Sequence, residues 1–188
     1  MNVDTLSWLF SHVCGQARCF VVDGAALPVC QRCLGLYAGA SLTAGWLVVC
    51  RLWRAGLPPR SVIAVNSVML IAALLGGIHA IDIGPVWRLM CGLWTGHVVM
   101  LWLVCGAGEL RRLARPAAAS ATTWGRMATA SALAAGPLLA ALACGLPRLL
   151  VGGWFVWTGL AAIGLVCLAC ATAAAAFSIG AWFLRATH

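Results

Sequence analysis

Long apolar stretches, separated by short gaps that contain arginine, dominate this sequence. A helix that crosses the hydrocarbon core of a bilayer needs about 20 mostly apolar residues. Only 9% of the residues are charged, against about a quarter in a water-soluble domain, so the chain has too few charged side chains to fold in water. Five stretches reach or approach the length of a span, at residues 34–50, 61–81, 89–107, 127–145 and 154–184.

The sequence therefore predicts an all-α integral membrane protein with about five transmembrane helices. A cysteine-rich N-terminal segment, residues 1–33, precedes a helical transmembrane domain, residues 34–188. All twelve basic residues are arginine, and alanine, glycine and tryptophan are abundant, as in proteins of GC-rich bacteria. We expect a multi-pass protein of the bacterial inner (cytoplasmic) membrane.

The distribution of arginine predicts how the chain is oriented. Eight arginines lie in the gaps after the first and third stretches and in the C-terminal tail, and four lie on the opposite side. Because positively charged loops stay in the cytoplasm, we expect the N-terminus outside. The net charge of +8 has the same origin and does not indicate nucleic-acid binding. The expected partners are the lipid bilayer and either another membrane protein or a second copy of the chain.

A short repeat marks the start of the first and third stretches. Gly35 and Gly39 enclose one aromatic residue, and Gly92 and Gly96 enclose another. Glycines four positions apart lie on one face of a helix and let a second backbone approach closely. We predict that these two spans cross at the glycines, with the aromatic rings near the membrane interface.

Four cysteines lie close to the start of the first stretch, namely Cys14, Cys19, Cys30 and Cys33. A Cys-x-x-Cys pair supplies two of the four ligands of a tetrahedral zinc site. An Asp-Gly turn between the two pairs predicts a compact loop or hairpin that brings them together. One prediction is therefore a zinc site with these four thiols as ligands.

The same thiols fit disulfide chemistry. Cys33 is expected at or just before a helix N-terminus, where the helix dipole and Arg32 stabilise a thiolate. On an oxidising outer face, Cys30 and Cys33 would form a catalytic disulfide that exchanges electrons with Cys14 and Cys19. One or two inert structural disulfides are the third alternative, and the residues leave all three open.

Charged residues between the second and third stretches are candidate ligand contacts. Asp82 precedes a Gly-Pro turn, and Arg88 follows it at the start of the third stretch. The pair fits a structural clasp, or a contact to a lipid phosphate or a quinone carbonyl. His79 and His97 flank this region, and each is either hydrogen-bonded structurally or a metal or proton partner.

The segment around the second cysteine pair resembles an uncharacterised prokaryotic membrane family, domain of unknown function 2085. The most specific part is LPVCQRCLGLYAG, residues 27–39, and the whole similarity covers roughly residues 12–97. This chain has Gly15 where the family has a histidine, and Cys19 where it has a serine. If the family's histidine binds a metal, the resemblance implies that Cys19 replaces it. If the histidine carries a proton, the resemblance implies that this step is missing here.

Three functional hypotheses follow. The leading one is a membrane protein of unknown activity with a zinc site and an accessory or scaffold role. The alternative is a membrane thiol–disulfide oxidoreductase that uses Cys30 and Cys33 with a quinone near Arg88. The third is a lipid or small-solute carrier that depends on Asp82.

Overall fold

A computed structural model describes residues 18–22, 24–77, 84–114, 124–149 and 154–186. Within these residues a short antiparallel hairpin precedes a bundle of five helices. The strands are β1 (Cys19–Val22) and β2 (Ala25–Cys30), and the helices are α1 (Gln31–Val49), a 3₁₀ turn (Leu52–Arg54), α2 (Arg60–Gly77), α3 (Pro85–Ala114), α4 (Arg126–Leu149) and α5 (Trp154–Ala186).

Three of the described helices are long and apolar enough to cross a membrane. Their apolar segments are Gln31–Val49, Pro85–Leu113 and Val156–Leu184, with mean hydropathies of 1.2, 1.6 and 2.3. The apolar part of α2, Arg60–Gly76, is shorter. A mostly helical membrane protein is thus confirmed, whereas only three of the five predicted spans meet these limits within the described residues.

The helices extend beyond the apolar stretches that predicted them. α1 begins at Gln31, so Cys33 lies in its first turn and not in a segment before it. α3 begins at Pro85, directly after Gly84 in a positive-φ conformation (φ 122°). Proline suits the first position of a helix because its missing N–H would have no partner there. Polar residues such as Gln31 and Arg32 belong to α1, and hydropathy alone does not place them in the helix.

The predicted hairpin is confirmed. β1 and β2 are antiparallel, with Cys19 opposite Cys30 and Val22 opposite Ala25, and the register shifts between Cys19 and Val21. Gly24 supplies the positive φ of the turn, at 80°, a conformation that costs glycine little. One face of β2 is buried against the bundle, so the hairpin covers one end of the helices, which we call the hairpin end.

Glycine contacts join α1 to α3. A Cβ atom at Gly35 would collide with the backbone of Leu89, and one at Gly92 with the backbone carbonyl of Arg32. The other two glycines of the repeat make equivalent backbone contacts. The predicted crossing of the two helices at these glycines is confirmed, and we call this contact the α1–α3 seam.

Helices that follow one another in the chain alternate in direction. Thr43 meets His97 farther along the seam, so α1 and α3 are parallel. The Arg32 side chain donates to the carbonyl of Gly76, which places the end of α2 at the hairpin end. Trp124, just before α4, donates to Gly56 at the opposite end of the bundle. α2 and α4 therefore run against α1 and α3.

The end opposite the hairpin carries exposed arginines and is called the arginine end below. These residues are Arg51, Arg54, Arg60, Arg111 and Arg112. The core divides in the same way, with Val29, Leu93 and Trp157 in a cluster near the hairpin. Leu47 and Ala171 belong to a second cluster near the arginine end. Because α5 contributes Trp157 to one and Ala171 to the other, it runs parallel to α1.

Candidate thiol site

Cys30 is the N-cap residue of α1. Its backbone is extended, and its Sγ accepts a hydrogen bond from the backbone N–H of Cys33 at 3.4 Å. The first N–H groups of a helix lack partners within the helix, and a polar side chain at the N-cap normally satisfies one of them. Here a sulfur does so, at the positive end of the helix dipole. The expected thiol at the helix N-terminus is confirmed, but the sulfur that receives the bond belongs to Cys30.

Cys19 lies directly opposite Cys30 in the hairpin. The backbone N–H of Gln31 donates to the carbonyl of Arg18 at 3.0 Å. Hydrogen-bonded and non-hydrogen-bonded pairs alternate along an antiparallel ladder. Cys19 and Cys30 therefore form a non-hydrogen-bonded pair, the type in which opposite side chains lie closest together.

The three described cysteines of this region differ in exposure. Cys30 is buried, with 2% of its surface exposed. Cys19 and Cys33, on either side of it, are partly exposed. Cys30 is thus the least accessible of these three side chains.

Two arginines tie the start of α1 to neighbouring helices. The Arg32 guanidinium donates to the carbonyl of Gly76 at the end of α2. Nη1 of Arg88 in α3 donates to Oε1 of Gln31 at 3.1 Å. The contact between Arg88 and Gln31 was not indicated by the sequence, and Asp82, the predicted partner of Arg88, lies outside the described residues.

A cavity of about 240 Å³ lies between α1, α2 and α3 beside the thiols. Its polar lining comes from Arg32, Cys33, Cys91 and Thr95. The rest of the lining is apolar or glycine, namely Leu36, Ala73, Leu74 and Gly92. The cavity brings Cys91 of α3 to the same space as Cys33 of α1, which follows from the parallel crossing at the seam.

The predicted metal site is described only in part. Cys14 and His79 lie outside the described residues. Across the ranges that the structure describes, no three His, Cys, Asp or Glu side chains are grouped to hold a metal ion. What the structure brings together is pairwise: Cys19 opposite Cys30 in the hairpin, and Cys30 against the N–H of Cys33.

His97 joins the two helices of the seam. Thr43 Oγ1 lies 2.7 Å from the carbonyl of Gly39 and 2.8 Å from His97 Nδ1. A threonine hydroxyl has one proton, and the carbonyl can only accept, so Thr43 donates to Gly39 and accepts from Nδ1–H of His97. The ring is buried, and its Nδ1 proton is fixed by this contact. A hydrogen-bonded role for His97 between α1 and α3 is thereby supported.

The aromatic residues inside the glycine repeat pack within the bundle. Tyr37 is 2% exposed and belongs to the core near the hairpin. The indole N–H of Trp94 donates to the carbonyl of Gly136 in α4 at 3.2 Å. Tyr37 is therefore buried among the helices, and Trp94 is partly buried against α4.

Residues 14–102 match a family model described as "Predicted membrane protein (DUF2085)". The match confirms the resemblance to DUF2085. It covers just under half of the chain and includes the hairpin, α1, α2, the cavity and the α1–α3 seam. Comparison with curated proteins and with solved structures finds no match. The description of DUF2085 names a membrane protein and no activity, so the chemistry must be argued from the thiol site.

Proposed function

We propose that this protein is a membrane thiol–disulfide oxidoreductase in which Cys30 and Cys33 form the reactive pair and a quinone accepts the electrons. The observation that carries the proposal is the hydrogen bond from the Cys33 N–H to Cys30 Sγ at the start of a membrane helix. Cysteines three residues apart at a helix N-terminus are the arrangement in which thiolates are stabilised for exchange. The cavity beside Cys33 supplies a second, independent support.

The reaction balances with these two sulfurs. A substrate dithiol reduces the Cys30–Cys33 disulfide by two successive thiolate attacks, and it leaves with a disulfide of its own. The two enzyme thiols then give two electrons and two protons to a quinone, which leaves as a hydroquinone. The S–S bond between Cys30 and Cys33 forms again, and the cycle restarts.

The cavity has the chemistry that a quinone ring requires. Its walls are mostly apolar, and the guanidinium of Arg32 brings hydrogen-bond donors to the same space, whereas the hydroxyl of Thr95 donates to the carbonyl of Cys91. The volume of about 240 Å³ is smaller than the roughly 300–1,000 Å³ of pockets for drug-sized ligands, so it suits a ring and not a whole prenylated molecule. Leu74 lines the cavity and is 55% exposed on α2, which suits an isoprenoid tail that extends into lipid. Arg32 thus takes the position near the quinone that the sequence suggested for Arg88.

We further propose that all five helices cross the membrane. α1 and α3 are parallel and each is long enough to span, so the chain has to cross back between them. α2 is the helix in that connection, and α4 has the same place between α3 and α5. The 17 residues of the apolar part of α2 match the lower limit of about 17 residues for a span.

The exposed arginines support an orientation with the hairpin outside. At the arginine end, Arg51, Arg60 and Arg111 are exposed, as expected of positive charges that keep a loop in the cytoplasm. At the hairpin end, Arg32 and Arg88 are directed into contacts with Gly76 and Gln31. Arg18 is also exposed at the hairpin end, so among the described residues the arginine end carries more exposed arginines than the hairpin end does. This difference supports a thiol site on the oxidising side of the membrane.

The test uses the full chain in lipid nanodiscs with a water-soluble quinone and a peptide dithiol. Quinone reduction is followed by absorbance. We expect Cys30→Ser and Cys33→Ser to reduce turnover to the background rate. Cys50→Ser, at the exposed end of α1, is the matched control and should retain turnover. Turnover by either site variant at the rate of the unchanged protein would contradict the proposal.

A zinc site with a scaffold role is the second candidate. Its support is the sequence spacing of two cysteine pairs, Cys14 with Cys19 and Cys30 with Cys33, and it requires Cys19, Cys30 and Cys33 to come closer together than in the described structure. Zinc would fasten the hairpin to the start of α1. Elemental analysis combined with thiol counting separates the candidates: one zinc per chain with reduced thiols supports the scaffold, and metal-free protein with a Cys30–Cys33 disulfide supports the oxidoreductase.

A further inference from the structure

We infer that Cys30 alternates between two disulfide partners, and that Cys19 is the thiol that exchanges with the external substrate. This inference rests on the proposed function, because it assigns the route by which electrons reach the Cys30–Cys33 pair. It is carried by the register of the hairpin and by the exposure of the three sulfur-bearing residues. In this relay, electrons would pass from the substrate to Cys19, then through Cys30 to Cys33, and from there to the quinone in the cavity.

The hairpin register allows a disulfide between Cys19 and Cys30. Residues of a non-hydrogen-bonded antiparallel pair have Cα atoms about 4.5 Å apart, within the range of about 4.4–6.8 Å that a disulfide spans. The bond from Gln31 N–H to the Arg18 carbonyl establishes this pair type for Cys19 and Cys30. Either disulfide of Cys30 therefore connects residues that the backbone already holds as neighbours.

Exposure assigns a different role to each thiol. Cys30 is buried between the hairpin and α1, so a protein or peptide dithiol has poor access to it. Cys19 is partly exposed on the hairpin. Cys33 lines the cavity between α1, α2 and α3. An external dithiol and a membrane quinone can thus react at separate sulfurs that are joined only through Cys30.

The exchange conserves bonds and electrons at each step. The Cys19 thiolate attacks Cys30 Sγ, the Cys19–Cys30 bond forms, and Cys33 leaves as a thiolate. A substrate thiolate then attacks Cys19 Sγ, and Cys30 leaves as a thiolate. The second substrate thiol closes the substrate disulfide and releases Cys19. Two electrons have moved from the substrate to Cys30 and Cys33, which pass them with two protons to the quinone.

The pairing is tested by trapping. Full-length Cys33→Ser protein is oxidised in nanodiscs with diamide, and its disulfides are mapped by mass spectrometry without reduction. We expect a peptide cross-link between Cys19 and Cys30, and its absence from the Cys19→Ser/Cys33→Ser double variant. A cross-link between Cys14 and Cys30, or no cross-link to Cys30, would overturn the inference.

Kinetics separate the relay from the proposed function. With a bulky peptide dithiol, Cys19→Ser should lose at least about tenfold in turnover because access to the buried sulfur limits exchange. In a single turnover without peptide, the reduced Cys30–Cys33 pair of the same variant should still reduce quinone at the unchanged rate. Full peptide turnover by Cys19→Ser, with Cys30→Ser inactive, would overturn the relay and leave the oxidoreductase standing. Full turnover by Cys30→Ser would overturn both.

Discussion

The α1–α3 seam and helix α5 show two ways in which apolar, glycine-containing helices are used. In α3, 56% of the apolar window is buried within the bundle, against 22% in α5. The glycines of the seam face the backbone of the partner helix, whereas Gly159 and Gly180 of α5 have open space around them. α5 also exposes large apolar side chains such as Phe177 and Ile163. Glycine content alone therefore does not identify a packed helix face.

The difference has a physical reason. Lipid tails are as apolar as leucine, so helices in a bilayer associate through close packing and hydrogen bonds. The seam provides both, because its glycines bring two backbones together and Thr43 reaches His97 across them. α5 packs closely at Gly164, which faces the backbone of Tyr37, and presents much of its remaining length to the surroundings of the bundle.

The largest effect is expected from a methyl group in the seam. In Gly92→Ala the new Cβ would meet the backbone carbonyl of Arg32, which cannot move aside as a flexible side chain can. We expect a loss of about 2–3 kcal/mol in the free energy of unfolding, the upper part of the range for overpacking. Gly159→Ala in α5 is the control and should stay within about 0.5 kcal/mol. Unfolding by SDS in mixed micelles measures the stability of both variants. Equal losses in Gly92→Ala and Gly159→Ala would contradict the difference in packing between the seam and α5.

A smaller loss is expected when the polar contact of the seam is removed. Thr43→Val keeps the shape of the side chain but leaves Nδ1–H of buried His97 without its acceptor. A buried donor without a partner costs about 1–3 kcal/mol. Thr172→Val is the matched control, since that hydroxyl is exposed on α5 and bonds only to its own helix. If Thr43→Val and Thr172→Val have the same free energy of unfolding, the contact with His97 contributes nothing to the stability of the seam.

The cap of α1 should have an effect of about 1 kcal/mol. Cys30→Ala removes the acceptor of the Cys33 N–H, and loss of an N-cap side chain typically costs about that amount. Cys30→Ser keeps an acceptor at the same position and should unfold nearly as the unchanged protein does. The serine variant therefore separates the cap from the sulfur chemistry. An equal loss of stability in Cys30→Ser and Cys30→Ala would contradict the cap.

The smallest effect is expected on the exposed face of α5. Phe177 is 79% exposed in the single chain, so Phe177→Ala should change the free energy of unfolding by no more than about 0.5 kcal/mol. The same micelle titration measures it. A loss above about 1 kcal/mol that depends on protein concentration would mean that a second copy of the chain covers this face.

Much of the fold could be predicted because membrane helices have a strong local signal. All five apolar stretches are helical over the described residues, and the glycine spacing located the crossing of α1 and α3. The Asp-Gly turn located the hairpin. The helix ends were less accurate, since polar residues such as Gln31 continue a helix beyond its apolar part.

The candidate site was predictable in its residue types and not in its geometry. The Cys-x-x-Cys spacing indicated two neighbouring thiols at a helix N-terminus. Nothing local indicated that Arg32 would reach Gly76. The predicted crossing of α1 and α3 did imply that Cys91 comes close to the outer cysteines, and Cys91 lines the same cavity as Cys33. Those contacts join residues more than 40 positions apart and depend on how three helices pack.

The sequence by itself determined the membrane environment, the order of the helices and the position of the thiols, because each depends on hydropathy or on spacing within a few residues. The tertiary structure decided which arginines face inward, which sulfur is buried and which side chains line the cavity. Those properties depend on the parallel approach of α1 and α3 with α2 beside them. The roles proposed for Cys19, Cys30 and Cys33 follow from that packing.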